Sequence, residues 1–228
     1  MSAAIFNVSK QQDAARLRRI ALSAQGLLQT QPFGRGINGA RNAVNHIGYV
    51  QIDTISVVER AHHHVLYSRV PDYTPAMLNQ MLLDRDVFEY WSHAAAFLPI
   101  QDFRFSLPYK HAIKNGQMHW YKNPDQKLMA ELLARIRSEG PLKSRDVEAA
   151  TENRGVWWDW KPAKKALEQL YMQGDLMVSA REGFQKTYDL TNVFCQRILI
   201  LKCRVYERLP SICLINNYVV MAWFRSRV

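Results

Sequence analysis

Cysteine is scarce in this sequence, and its distribution is uneven. The 228 residues contain three cysteines, which all lie towards the C-terminal end, at Cys195, Cys203 and Cys213. Their number is odd, and their spacing does not match a zinc or redox motif. No disulfide framework is therefore implied, and cysteine catalysis is not expected.

Long apolar runs and phosphate-binding glycine loops are also missing. The longest apolar run, LPSICLINNYVVMAWF, contains two asparagines and is shorter than a membrane-spanning helix, which needs about 20 residues. The start of the chain, MSAAIFNVSK, has neither the charged residues nor the apolar stretch of a secretory signal. FGRGINGA follows no strand and lacks the lysine of a phosphate loop. These absences predict a soluble, cytoplasmic protein with no membrane partner.

Acidic residues are outnumbered by basic ones. The sequence has 20 Asp and Glu against 30 Lys and Arg, which gives a net charge of +10 and a pI near 9.6. Such a balance favours a polyanionic partner, either nucleic acid or an acidic membrane surface. Nearly half of the residues are apolar, so the chain is predicted to be globular, with a buried core.

The last stretch of the chain, residues 192–228, differs in composition from the rest. It holds six basic residues and one acidic residue, so it carries half of the net charge. It has no glycine, and it shows neither a clear helical period nor regular alternation. Two interpretations remain open. The segment is either an amphipathic terminal element that packs on the body or, as we favour, a segment not selected to fold with the rest, such as a frameshifted end.

The first half of the chain predicts several helices followed by a hairpin. Ser9 is a candidate cap for one helix, and a second helix lies around ARNAVNHIG. A short extended piece, YVQID, precedes a helix that Pro71 ends. The next helix has Thr74 as its cap and Pro75 at its first position. The strands DVFEYW and AAFLPI are then expected to pair around Ser92–His93.

The same order recurs more clearly further along. The helix DQKLMAELLARIRSEG is followed by a short helix with Ser144 as its cap, and then by KPAKKALEQLYMQG, which Gly174 ends. The strands LMVSA and KTYDLT are joined by REGF, a typical hairpin turn. The sequence therefore predicts a mainly α fold with short β wings, built from tandem winged-helix (helix-turn-helix) units. The predicted domains are 1–120, 121–191 and a divergent tail, 192–228.

Three lysines, Lys161, Lys164 and Lys165, cluster at the start of the third helix of the second unit. In a winged helix this element lies in the major groove, so the lysines are candidate DNA-binding residues. The alternative is a solvated helix surface, although cations are slightly unfavourable at a helix N-terminus. The preceding WWDW, at 157–160, is more typical of packing in the turn than of base stacking.

The run His62–His64 suggests a metal site, but its spacing argues against one. Consecutive residues on a helix point about 100° apart, so the three rings cannot all face one ion. We therefore expect no metal, and we prefer ordinary helix-surface or DNA-contacting roles. Ser92 and His93 are neighbours on a strand and face opposite sides, so their spacing alone does not predict a nucleophile–base pair.

Gln51 and Asp53 lie in an otherwise apolar stretch. On a strand, residues two apart share a face, so their side chains are expected to converge while Ile52 is anchored in the core. A carboxylate can stabilise a developing cation or take a proton from water, and an amide can hold that water. The alternative is that Asp53 caps a helix that starts near Ser56. The residues alone leave both interpretations open.

Three longer motifs resemble the bacterial winged-helix DNA glycosylases of the AlkZ/YcaQ type. They are YVQIDTISVVERAHHHVLYSRVPDY, EYWSHAAAFLP and GVWWDWKPAKKALEQLYMQGDL. The resemblance runs from about residue 10 to Thr191 and is close to the YcaQ branch. The catalytic signature of that family is Gln–aliphatic–Gln or Gln–aliphatic–Asp, and Gln51-Ile52-Asp53 has the second form.

The resemblance implies a monofunctional, metal-independent glycosylase without a cofactor. Its expected substrate is double-stranded DNA that carries N7-alkylated or crosslinked guanine, bound by a monomer. The resemblance implies that Gln51 and Asp53 are catalytic. The matching motifs also contain Arg60, His62, His63 and His93. These residues are candidates for DNA contact, with packing as the alternative. Members of the family have three winged-helix units, so the change of character at Asn192 implies a C-terminally truncated member with weakened activity.

Two other functions compete with the glycosylase. A winged-helix transcriptional regulator would bind DNA without chemistry, and a truncated product would have neither activity at physiological strength. The pair Gln51 and Asp53 favours the enzyme, because a regulator has no reason to direct a carboxylate towards DNA. Salt-dependent DNA binding distinguishes the inactive product from the other two.

Overall fold

The computed structural model describes residues 11–148 and 162–194. Within these ranges the fold is mainly α-helical with small antiparallel β-sheets, as the sequence predicts. None of the helices there combines the length and apolar character needed to cross a bilayer. The Ser9 cap, Lys161, the tryptophans of WWDW and the three cysteines lie outside the described residues, as does the tail from residue 195.

The chain divides between Met81 and Leu82 into two compact units. The first unit contains α1 (Gln11–Ala24), α2 (Gly36–Ile47), β1 (Val50–Gln51), α3 (Ala61–Tyr67) and most of α4 (Pro75–Leu83). Its core is formed by small and aliphatic side chains of these helices, among them Ala43, Val44, Leu66 and Leu78. This boundary lies inside the predicted domain 1–120. That domain was defined by the order of its elements, and it stays a prediction.

Helix α2 passes very close to the segment before it. A Cβ on Gly39 would lie 2.7 Å from the carbonyl oxygen of Gly34 and 3.2 Å from Cγ1 of Val70. A carbon atom cannot approach a backbone oxygen that closely without displacing it. Residue 39 is therefore restricted to glycine by the packing of α2.

The second unit is built around an antiparallel hairpin and a three-stranded sheet. Its elements are β2 (Val87–Trp91), β3 (Ala95–Pro99), a 3₁₀ turn (Ile100–Asp102), α5 (Phe103–Lys114), α6 (Gln126–Glu139), β4 (Leu142–Lys143), α7 (Ser144–Glu148), α8 (Pro162–Met172), β5 (Leu176–Glu182), β6 (Gln185–Leu190) and α9 (Thr191–Phe194). Strands β2 and β3 pair antiparallel around the predicted turn at Ser92–His93. The three-stranded sheet has the order β4-β6-β5 and is antiparallel throughout.

Most helices and both hairpins match the sequence patterns. Asp125 caps α6 by accepting a hydrogen bond from the Leu128 N–H, and Gly140 follows its last turn. Helix α8 ends at Met172, two residues before Gly174. The sequence patterns did not predict α5, because Pro108 lies inside it and proline normally ends a helix.

A buried ion cluster ties the two strand pairs of the second unit together. Glu89 on β2 has a fully buried side chain and accepts two hydrogen bonds from Arg181 on β5, at 2.6 and 2.8 Å. The Lys186 Nζ atom on β6 lies 2.9 Å from the same carboxylate. Burial opposes ionisation of Glu89, but Lys186 and Arg181 outweigh it and lower the pKa of this carboxyl to about 2.

Candidate active site

The turn after α2 sets the position of the predicted catalytic stretch. Gly48 follows α2 with φ of +70°, and its N–H donates to the carbonyl oxygen of Val44 at 2.8 Å. Glycine adopts this left-handed conformation without steric cost. The chain then enters β1, where the side chain of Val50 is buried in the core. Because successive side chains alternate, Tyr49 and Gln51 lie on the opposite side from Val50.

Gln51 is exposed, and its amide is oriented by a neighbour. The Tyr49 hydroxyl donates a hydrogen bond to Oε1 of Gln51 at 3.0 Å. This contact occupies one lone pair of the amide oxygen and leaves the Nε2 group as the available donor. Partial burial raises the pKa of Tyr49, so its phenol stays protonated and can keep donating. The amide therefore presents its N–H atoms to whatever binds beside it.

Asp53 lies just beyond the strand, on a turn. Strand β1 ends at Gln51, so the prediction that it continues to Asp53 is wrong, and Ile52 is half-buried instead of anchored in the core. The Asp53 side chain is half-buried, and its Oδ1 atom accepts a hydrogen bond from the Ile55 N–H at 2.8 Å. Its Oδ2 atom accepts no hydrogen bond from any residue in 11–148 or 162–194.

The helix-capping alternative for Asp53 is wrong. No helix starts near Ser56; α3 begins at Ala61, and Arg60 occupies its N-cap position. The bond from Ile55 to Asp53 is that of an Asx turn, in which a side chain replaces a main-chain acceptor two residues earlier. The structure thus uses one carboxylate oxygen to shape the loop.

His62 holds the backbone of Asp53. The Asp53 N–H donates to Nδ1 of His62 at 3.2 Å, so this ring nitrogen carries no proton in the contact. His62 is only 5% exposed, which leaves it little surface for DNA. Its contact with the main chain of Asp53 gives it a supporting position at the candidate catalytic residue, and DNA binding by His62 stays a prediction.

The other two histidines point elsewhere. His63 is 8% exposed, and its Nδ1 lies 2.8 Å from the Tyr73 hydroxyl. Burial lowers the pKa of His63, which favours the neutral ring, and the nearby Glu59 opposes this shift. The exposed His64 donates from Nε2 to the Glu59 carbonyl oxygen at 3.0 Å. The described ranges contain no group of three or more side chains able to bind a metal.

Arg60 stands at the junction between the loop and α3. Its N–H donates to Oε1 of Glu59 at 2.8 Å, and its side chain is half-buried. That hydrogen bond is the largest cause of the lowered pKa of Glu59. Arg60 lies in the first compact unit, as do Gln51, Asp53 and His62.

The remaining predicted residues lie in the second compact unit. His93 is exposed at the tip of the β2–β3 hairpin, and its Nδ1 is 3.2 Å from the Ser92 hydroxyl. Lys164 is exposed and Lys165 half-buried, both in the first turn of α8. Lys161 precedes the described part of that helix.

Sequence reasoning missed the residues that support the site. Tyr49 lies two positions before Gln51, so the alternation that pairs Gln51 with Asp53 would also have placed Tyr49 on that face. Tyr73 and Glu59 gave no such signal, because their contacts with His63 and His64 depend on the packing of α3.

Comparison with known proteins identifies the family. The sequence model of a family described as DNA glycosylase AlkZ-like matches residues 44–207, which is well over half of the chain. The match begins later than the resemblance suggested, and it continues past Thr191. It includes the whole stretch from Tyr49 to α4 and the lysines of α8. No solved structure matches the chain. The chain therefore belongs to the AlkZ-like DNA glycosylase family.

Proposed function

We propose that the chain is a monofunctional glycosylase that releases N7-alkylated guanine from DNA and unhooks interstrand crosslinks at this position. Membership of a DNA glycosylase family makes DNA its substrate and hydrolysis of an N-glycosidic bond its reaction. The choice of lesion, the crosslink activity and the residues that carry the chemistry are our proposal. The proposal assigns catalysis to Asp53 and Gln51, without a metal or a cofactor.

The observation that carries this proposal is the state of the Asp53 carboxylate. One oxygen is fixed by the Ile55 N–H, the other accepts no hydrogen bond within the described ranges, and the side chain is only half-buried. A carboxylate held in place but not neutralised by a cation is suited to stabilising positive charge that develops nearby. Gln51, oriented by Tyr49, offers donors two residues away.

The chemistry requires little more than this pair. Alkylation at N7 gives guanine a positive charge, so the base leaves with the electron pair of the C1′–N9 bond and needs no general acid. The sugar then carries oxocarbenium character, which the Asp53 carboxylate stabilises. Water attacks C1′ and gives a proton to Asp53, while the Gln51 amide holds that water.

The order of elements supports a tandem winged-helix architecture. Helix, strand, two helices and two strands occur as α2-β1-α3-α4-β2-β3 and again as α6-β4-α7-α8-β5-β6. In the second set, α8 corresponds to the recognition helix and the β5–β6 hairpin to the wing. Lys164 and Lys165 in the first turn of α8 are then proposed to contact the DNA backbone of a substrate that a monomer binds. Arg60 and His93 are proposed as further contacts.

Replacing Asp53 by asparagine tests the catalytic assignment. Asparagine keeps an oxygen that can accept from the Ile55 N–H, so the turn survives while the charge is lost. We expect Asp53→Asn to reduce the rate of excision of N7-methylguanine from duplex DNA by about 100-fold or more. The measurement is the appearance of abasic sites after cleavage of the labelled strand, alongside the DNA affinity, which should change little.

Asp125→Asn is the matched control. Asp125 likewise accepts from a main-chain N–H, that of Leu128, and asparagine is an equally good cap, so excision should be unchanged. Undiminished excision by Asp53→Asn would remove Asp53 from the mechanism.

The helix–wing order with Lys164 and Lys165 also fits a regulator without catalysis. Salt-dependent binding of intact DNA with no excision by the wild-type chain would favour that alternative.

A further inference from the structure

An exposed apolar tip follows directly after Asp53. In the loop between Asp53 and α3, Ile55 is 69% exposed, Val57 90% and Val58 89%. Single exposed aliphatic residues are ordinary on protein surfaces. Three exposed β-branched residues within four positions form a small apolar projection, which we call the 55–58 tip. Neighbouring exposed apolar residues beside a candidate site are a candidate contact surface for a binding partner.

Hydrogen bonds close the 55–58 tip at both ends. The Ile55 N–H is bound by Oδ1 of Asp53, and Ser56 forms an isolated antiparallel bridge with Arg60. The Arg60 N–H is in turn held by Glu59. The apolar side chains therefore project from a defined turn whose first hydrogen bond is made by the proposed catalytic residue.

We propose that the 55–58 tip is a wedge that inserts its aliphatic side chains into the minor groove of duplex DNA, at a base step beside the lesion. This inference rests on the proposed function, which brings Asp53 to the deoxyribose C1′. Ile55 is two residues from Asp53, at most about 7 Å along the backbone. That distance equals about two base-pair steps, with a rise of 3.4 Å each.

The chemistry of DNA supports this partner over a protein. The C1′ atoms of deoxyribose border the minor groove, whereas N7 of guanine and any group attached to it lie in the major groove. An approach from the minor groove reaches C1′ without meeting a bulky adduct. Proteins that bind the minor groove insert aliphatic residues between base steps and partly unstack them. Unstacking would loosen the damaged nucleotide, so that Asp53 and water can reach its sugar.

The double variant Val57→Ser/Val58→Ser tests the wedge. Both residues are exposed, so the free energy of unfolding should be unchanged, as a thermal melt will show. The first readout is 2-aminopurine fluorescence, with the probe beside an N7-methylguanine and Asp53→Asn in the background to prevent excision. We expect binding to raise this fluorescence, and the double variant to reduce the rise at least threefold. With Asp53 intact, we expect excision from duplex DNA to fall about tenfold.

Ile20→Ser is the matched control, because Ile20 on α1 is a similarly exposed aliphatic residue, at 64%, and should alter neither readout. A full fluorescence rise and full excision by the double variant would overturn the wedge and leave the proposed function intact. If the wild-type chain shows no excision either, but the rise in 2-aminopurine fluorescence still depends on Val57 and Val58, the catalytic proposal alone is refuted. Self-association in sedimentation that the double variant abolishes would instead assign the 55–58 tip to a protein interface and overturn the wedge.

Discussion

The two predicted catalytic residues are each held by a neighbouring aromatic side chain. Tyr49 fixes the amide of Gln51 through its oxygen, and His62 accepts from the main chain of Asp53. Neither neighbour has to touch the substrate to matter. A side chain that rotates freely must first be ordered before it can hold water or face a developing cation. The free energy of that ordering then adds to the activation barrier.

Tyr49→Phe tests the role of the hydroxyl. Loss of one hydrogen bond is worth about 0.5–1.5 kcal/mol, so we expect the excision rate to fall roughly 2- to 13-fold. The reason is that Gln51 would no longer be fixed with its N–H atoms outward. The decisive measurement is the same change in a Gln51→Ala background, where Tyr49→Phe should have no further effect on the rate. Equal losses in both backgrounds would show that Tyr49 acts independently of Gln51.

At this scale the sequence singles out Gln51 and Asp53 as candidate catalytic residues, which stays a prediction, but it does not predict how they are held. Gln51 and Asp53 were identified by their types and their spacing in an apolar stretch. The Asx turn at Asp53 and the contact with His62 were not, because both require knowing that β1 ends at Gln51. A two-residue strand carries no periodic signal of its own end.

Among the elements, α2 has a strict packing requirement at one position. Its Gly39 lies against the backbone of Gly34 and the side chain of Val70, and its last turn leads through Gly48 into β1. A displacement of α2 would therefore move the strand that carries Gln51.

Gly39→Ala is expected to destabilise the protein even though alanine favours helices. The added Cβ would lie 2.7 Å from a carbonyl oxygen, and overpacking of this kind costs about 1–3 kcal/mol. Chemical denaturation gives the free energy of unfolding that checks it. Asn45→Ala, on the exposed side of α2, should be neutral or slightly stabilising. Equal stability of the two variants would mean that the close approach at residue 39 relaxes freely.

The elements that the sequence predicted well have local signals. Helix α6 carries its own cap at Asp125 and its own terminator at Gly140, and each hairpin has two strand segments on either side of a short turn. Helix α5 was not predicted because Pro108 lies inside it and proline normally ends a helix. Tertiary packing overrides this preference, since Phe103 and Ile113 on either side of the proline are both buried.

For the molecule as a whole, the buried ion cluster around Glu89 links stability to pH. The pKa of Glu89 is about 2 in the folded protein, against the ordinary value of 4.5. A carboxyl whose pKa is lowered by folding stabilises the protein fully above its unfolded pKa. That stabilisation is lost as the pH falls from about 4.5 towards 2.

Glu89→Gln should remove this dependence and weaken the protein at neutral pH. It leaves the cations of Arg181 and Lys186 without their partner in the interior, at a cost of roughly 3–5 kcal/mol. We expect a lower free energy of unfolding at pH 7, and a smaller fall between pH 4.5 and pH 2 than the wild type shows. Denaturant titrations at several pH values measure both.

Glu139→Gln is the control for that experiment. Glu139 pairs with Arg135 on the exposed side of α6, and such pairs contribute only about 0.3–0.5 kcal/mol. An equally small effect at Glu89 would contradict the stabilising role of the cluster. This cluster could not be predicted from the sequence, because Glu89 and Arg181 are 92 residues apart and no local pattern links them.

The Asx turn at residue 53 also restricts the length of the side chain at that position. Its hydrogen-bonded ring closes because a single methylene separates the carboxylate from the backbone. Glutamate carries the same charge, but its second methylene would move the carboxylate oxygens beyond the Ile55 N–H. The loop would then lose the hydrogen bond that begins it. For the geometry of this loop, glutamate, which preserves the charge, is therefore more disruptive than asparagine, which preserves the shape, and an exchange between the two acidic residues is not conservative here.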